Sequence, residues 1–256
     1  MKTNSVFLSI LLLAFSFLQA SAQESDTDKE WKFLIEPYLM FPSMNGTSGI
    51  RQLPPVEVDA NASDIFSNLD FGAMLYFEAQ SDQWALGSDF VYMKLAQDVV
   101  PGTIINSGEL TAKQMIWEFS GLYRILSFLE AGIGLRLNNI ELEADINRNT
   151  IGGGSTEFLS ASNSEFWVDP VIIARATHWI ENKWLLQFRG DLGGFGIGSD
   201  FTWQLQGYFG YRFSKLFQAS IGFRVIGMDY EKGSGADRFQ YDVNTSGPLI
   251  KIGFNL

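Results

Sequence analysis

The sequence predicts an all-β fold, an antiparallel up-and-down transmembrane β-barrel of about ten strands, with eight or twelve as the neighbouring counts. Three observations predict it. Apolar and polar residues alternate in segment after segment, the connections between segments are short and long in turn, and strand charges share the face opposite the apolar one. A strand sends successive side chains to opposite faces, so this alternation marks a sheet with one apolar and one polar side.

The pattern is plainest from 201 to 213. Phe201, Trp203, Leu205, Gly207, Phe209, Tyr211 and Phe213 oppose Thr202, Gln204, Gln206, Tyr208, Gly210 and Arg212. Ser214 and Lys215 turn the chain, and Ala219, Ile221, Phe223 and Val225 then oppose Gln218, Ser220, Gly222 and Arg224. Such a hairpin suits a soluble sandwich as well as a membrane wall, so the remainder of the chain has to decide.

Residues 1–22 read as a cleaved secretory signal peptide: Lys2, an apolar run from Val6 to Leu18, then the small residues Ala20, Ser21 and Ala22. The run is short for a membrane anchor. Residues 23–30 are a polar, flexible periplasmic lead-in, and residues 31–256 form the barrel domain. The chain has no cysteine, so neither a lipid-bearing cysteine nor a disulfide framework is expected. A formal charge of −11 argues against nucleic acid as a partner.

The first strand, 31–40, sets Trp31, Phe33, Ile35, Pro37 and Leu39 against Lys32, Glu36 and Tyr38. Residues 41–68 are mostly loop, punctuated by Pro42, Gly46, Gly49, Pro54 and Pro55. They have room for a short helix behind an Asn61 or Ser63 cap, or for a small hairpin of 47–50 with 56–58. Strand 69–80 carries Glu78 on its polar face, and the strand from Trp84 carries Asp89. Next come the strand with Glu118 and Arg124, the strand with Glu130 and Arg136, and 167–179 with Asp169 and Arg175. The strand from Trp184 carries Arg189 and Asp191, and a last strand runs from Pro248 to Leu256.

The tight connections are 81–83, 126–127, 181–183 and 214–215. They alternate with 41–68, 97–107, 147–164, the short exception 195–199, and 232–238. Outer-membrane barrels alternate short periplasmic turns with longer outer loops in this way. Trp31, Trp84, Phe128, Trp179, Trp184, Phe213 and Phe217 lie near the tight-turn end. Tyr92, Trp117, Trp167, Trp203, Tyr230 and Tyr241 lie nearer the other, as two aromatic girdles would. A sandwich core does not accommodate the charges of the polar face, whereas a narrow lumen pairs them. Glu118, Glu130, Arg136, Asp169, Arg175, Arg189, Asp191, Arg212 and Arg224 are therefore expected to form one ion-pair network filling the lumen.

Trp167-Val168-Asp169-Pro170, Arg189-Gly190-Asp191, Gly194-Phe195-Gly196 and the run Ser199 to Gln204 carry a family likeness. With them, the chain resembles a family of bacterial outer-membrane β-barrel proteins that has no firmly assigned activity. The resemblance implies the barrel and its location in the outer membrane of a Gram-negative bacterium, and carries over no catalytic residue. One departure is the ending Phe254-Asn255-Leu256, where many such barrels finish on an aromatic residue.

Catalytic chemistry is sparse. His178, the one histidine, sits on the lipid-facing register near a tight turn, where an interfacial spectator outweighs a catalytic base. Asp145, Asn147 and Asn149 mimic the start of a calcium loop, but Thr150 and Thr156 stand where it needs Gly and Glu, so no metal site is expected. Residues 194–198 are glycine-rich like a phosphate loop but read as a hairpin tip. Glu118 and Glu130 read as salt-bridge members rather than an acid pair. No cofactor and no enzyme activity are expected. The role expected is structural or that of a small-solute channel. The alternative is a barrel that binds a ligand or partner through its outer loops, or a soluble lipocalin-like binder. The partners expected are outer-membrane lipid and, during biogenesis, the barrel-assembly machinery.

Overall fold

The computed structural model describes residues 31–50, 56–99, 101–102, 105–149 and 156–256. The signal peptide and the lead-in at 23–30 lie outside the described residues. The strands are β1 (Lys32–Met40), β2 (Ser43–Ile50), β3 (Val56–Ala60), β4 (Leu69–Gln80), β5 (Trp84–Asp98), β6 (Ile105–Leu126) and β7 (Leu129–Asn149). They continue with β8 (Thr156–Ile180), β9 (Trp184–Gly193), β10 (Phe201–Arg212), β11 (Phe217–Lys232) and β12 (Phe239–Asn255). All pairings are antiparallel, and all join sequence neighbours except β1 with β4, β1 with β12 and β12 with β2. Ten strands, β1 and β4 to β12, thus close a barrel.

The other two strands extend the seam. The last part of β12 pairs with β1, and its first part, Phe239 to Ser246, pairs with β2, which pairs with β3. The chain kinks between β1 and β2 at Phe41 and Pro42, where proline cannot donate to the ladder. Gly247 faces that kink, and a Cβ there would stand 2.1 Å from the Phe41 carbonyl oxygen. Helix α1 (Ala62–Ser67) follows β3, capped by Asn61, whose side chain accepts from Ser63 N and Asp64 N. Its Ile65 is buried beside Met40 and Met93. The described residues within 41–68 therefore form both the short hairpin and the Asn61-capped helix, expected as alternatives, rather than mostly loop.

Two other expected loops are shorter than their composition suggests. Much of 97–107 and 147–164 continues β5, β6, β7 and β8, with Asn147 paired to Phe158 and Glu143 to Ser162. Those segments mix Asn, Ser, Thr and Glu with a few exposed apolar residues such as Phe158 and Leu159, so the regular alternation that marks a membrane strand is missing. The wall is consequently uneven. β6, β7 and β8 have 22, 21 and 25 residues, against 10 and 12 for β9 and β10.

The outer face is apolar around the barrel. Phe77, Leu86, Phe119, Ile133, Ile172, Phe188, Leu205, Phe223 and Ile252 all stand exposed on it, an apolar band of the kind that membrane barrels present to lipid. At the tight-turn end Trp184, Tyr211, Phe213, Phe217 and Phe254 form a chain of touching rings. The opposite girdle needs correction. Trp167, Tyr230 and Tyr241 are buried inside the barrel, and Trp179 also faces inward, under Arg212.

Candidate functional site

Among the described residues, buried polar and charged side chains converge in the lumen. Strand parity aims Glu118, Arg136, Asp191 and Arg224 inward, and register sets which of them are neighbours. Glu118 lies opposite Arg136, and Arg136 opposite Asp169. Like charges also stand in register, Asp89 with Glu118 and Arg175 with Arg189, and all four groups reach opposite charges on other strands.

The middle of the bore holds an ionic belt. Arg136, with no solvent exposure, donates from Nη2 to Glu118 Oε2 and to Asp191 Oδ1, each at 2.7 Å, and from Nη1 to Thr202 Oγ1 at 3.1 Å. Arg189 donates to the other Glu118 oxygen. Gln204 Nε2 donates to Asp191 Oδ2 at 2.8 Å, and Gln204 Oε1 accepts from Arg224 Nε at 2.7 Å. Arg224 Nη1 reaches Asp89 Oδ2 and Tyr38 Oη, each at 3.1 Å, while Tyr38 donates to Asp89 Oδ1 at 2.7 Å. This unbroken chain crosses the bore from β6 to β1 and balances Glu118, Asp191 and Asp89 against three arginines.

A second cluster sits nearer the tight turns. Arg175 Nε donates to Glu130 Oε2 at 2.7 Å, and its Nη1 pairs with Glu78. Tyr76 donates to Glu78 Oε2 at 2.5 Å, and Arg124 Nη2 to Glu130 Oε1 at 3.0 Å.

Two expected members do otherwise. Asp169, fully buried, accepts no arginine. It takes Ser199 N at 2.6 Å, Ser199 Oγ at 2.9 Å, Trp167 Nε1 at 3.1 Å and Asn138 Nδ2 at 2.8 Å. It thereby pins the β9–β10 tip to β8. Gly198 is required beside it, since a Cβ would lie 2.5 Å from Asp169 Oδ1. Arg212 has no carboxylate partner among the described residues. Its guanidinium lies 4.0 Å over the Trp179 ring, and its Nε is buried without an acceptor. It comes last on β10, below the reach of the belt's acids.

Glu78 and Asp89, expected on the polar face but not among the nine named network residues, are members of it, as are Tyr38, Tyr76 and Gln204. All lie on the inward register, so the signal was present. The tetrapeptide 167–170, the tripeptide 189–191 and the run from Ser199 to Gln204 converge on Asp169 and the belt.

Above the belt, toward the long strands, lies an apolar cap of buried side chains. It comprises Ile116, Ile140, Trp167, Ile226, Met228, Tyr230, Phe239, Tyr241 and Val243. Trp167 of β8 stacks on Tyr230 of β11 with centroids 4.1 Å apart, passing over the short β9–β10 hairpin, and Lys232 Nζ meets Glu165 Oε2 at 2.9 Å beside them. Below the belt lies a polar cup of about 360 Å³.

No protein-family model matches the chain, and no curated protein matches it. Among solved structures, the outer membrane protease OmpT from Escherichia coli superposes with a TM-score of 0.55 at 10% identity, covering 92% of this chain and all of that one. Ail, the attachment invasion locus protein of Yersinia pestis, gives 0.36 at 9% identity, over 88% of this chain and 98% of that one. The toluene transporter TodX of Pseudomonas putida gives 0.35 at 8%, over 90% and 91%. The chain has the fold of an outer-membrane β-barrel.

Proposed function

We propose that the protein is exported by its signal peptide, inserted by the barrel-assembly machinery into the outer membrane of a Gram-negative bacterium, and serves there as a closed structural barrel. The motifs around Asp169 and Asp191 support placing it with the uncharacterised barrel family that the sequence resembles. One observation carries the closed state: a hydrogen-bonded chain from Glu118 through Arg136, Asp191, Gln204 and Arg224 to Asp89 and Tyr38 crosses the bore. At about ten strands a lumen is near the size that side chains can fill. The apolar cap stands in series with the belt, so solute meets two seals. His178 is exposed on the outer face, and Glu78, Asp89, Glu118, Glu130 and Asp191 are each held by an arginine, which supports a structural role for these acids.

Planar-bilayer conductance of the purified protein tests this reading. The wild type is expected at baseline, and a variant lacking both seals, Arg136→Ala with Trp167→Ala, is expected to leak. Large steady conductance in the wild type would sink the closed barrel and favour the small-solute channel. A second reading, partner binding at the outer rim, draws support from strand length. Spanning takes roughly 9–11 residues, so β6, β7 and β8 stand well beyond the membrane.

A further inference from the structure

We propose that the cup at the tight-turn end is a binding site for a small hydroxylated organic acid, with Arg212 holding the carboxylate. Only the side from which the ligand enters, the periplasm, rests on the membrane placement proposed above.

The cup is blind. Its roof is the Arg175–Glu78–Glu130 cluster together with Lys251, and its mouth lies among the tight turns. Its 360 Å³ falls in the range of small-molecule sites, roughly 300–1,000 Å³. Charge matching inside it is nearly complete. Arg175 is paired with Glu78 and Glu130, Arg124 with Glu130, and Lys251 stands 3.6 Å from Glu36. Lys32 is exposed at the mouth. Arg212 is the exception on the inner wall: half-buried, with no carboxylate among the described residues and no acceptor for its Nε.

Arg212 is also held flat. Its guanidinium lies 4.0 Å over the Trp179 ring, which fixes the plane of a fork suited to two parallel hydrogen bonds with a carboxylate. A shielded guanidinium without an anion is an unfavourable resting state that a ligand relieves. Beside it the wall carries hydrogen-bonding amides and hydroxyls, with the nearby Glu36 carboxylate already taken up by Gln218 Nε2 at 3.1 Å and by Lys251. Gln187 Nε2 donates to Thr177 Oγ1 at 3.1 Å, Asn255 Nδ2 donates to Gln218 Oε1 at 3.3 Å, and Ser220 is buried beside them. Amides and hydroxyls of this kind recognise hydroxyl groups, so the complement is a carboxylate on a polyhydroxylated body rather than on an alkyl chain.

Calorimetric titration of the folded protein in detergent, with glucuronate as the acid and glucose as its uncharged counterpart, tests the assignment. Saturable binding of glucuronate and none of glucose is expected. Arg212→Gln should weaken glucuronate by roughly tenfold or more. Arg148→Gln, on the opposite rim, should leave it unchanged. If Arg212→Gln does not fold, Ser220→Leu decides, because it fills the cup and keeps the guanidinium; loss of binding is expected there too. Absence of saturable glucuronate binding, equal binding of glucose, or binding that survives both cup variants overturns the proposal. Conductance is an independent readout, so a leaking barrel with an intact acid site, or a sealed one without it, is seen directly.

Discussion

The belt and the cap tie the barrel interior together by opposite means. In the belt each group has a named partner: Arg136 touches Glu118, Asp191 and Thr202, and the loss of one member strands a charge. In the cap Ile226, Met228 and Phe239 touch whatever apolar surface is near, with Trp167 lying flat on Tyr230 and the other ring pairs looser and tilted. Ionic filling is specific and brittle. Apolar filling is tolerant, and its cost scales with the volume removed.

Single substitutions break or sharpen this contrast. Arg136→Ala is expected to have the largest effect, about 3–5 kcal/mol of destabilisation, because Glu118 and Asp191 keep their charges in a confined site. Urea unfolding in lipid vesicles measures it, and a loss under about 1 kcal/mol would mean that water reaches the belt. Ile226→Ala in the cap should cost about 2–4 kcal/mol through the cavity it leaves. Equal losses for Ile226→Ala and Ile226→Val in the same assay would contradict a volume-limited cap. Arg224→Met strands Asp89, and adding Asp89→Leu should restore about 1 kcal/mol or more relative to that single change. An additive double variant would show that the two side chains do not interact. Lys183→Ala, at an exposed turn, should stay within about 0.5 kcal/mol of wild type. A larger shift would reveal a role for that turn that its geometry does not suggest. Orientation is open to a separate check. A cysteine at Ser160 should react with an impermeant thiol reagent on intact cells and one at Asn182 should not, and the reverse pattern would invert the topology.

Much of the architecture was legible in the sequence. Alternation assigned inward positions to Arg136, Asp169 and Arg224 because parity is a local property of the strand. Partner choice was not legible. Arg224 and Asp89 are 135 residues apart, and Arg175 and Glu78 are 97 apart; which acid an arginine reaches depends on how the wall curves across the lumen. Arg212 shares the parity of the others but sits at the wet end, so parity alone overstated its part in the network. Trp167 shows the converse. It shares the register of Asp169, yet its place near a strand end suggested a girdle, and only the short β9–β10 hairpin reveals why it turns inward onto Tyr230. The extensions of β7 and β8 escaped notice because strands outside lipid need no apolar face.

The seam gives the belt a place in time as well as in space. Tyr38 belongs to the first strand and Arg224 to the next-to-last, 186 residues away, so their contact with Asp89 waits until the two ends of the sheet meet. A contact made that late does little to speed closure, and its free energy appears mainly as a slower opening rate. The Tyr38–Asp89–Arg224 triangle thus acts as a latch on the finished barrel, lengthening the lifetime of the folded state more than hastening its formation.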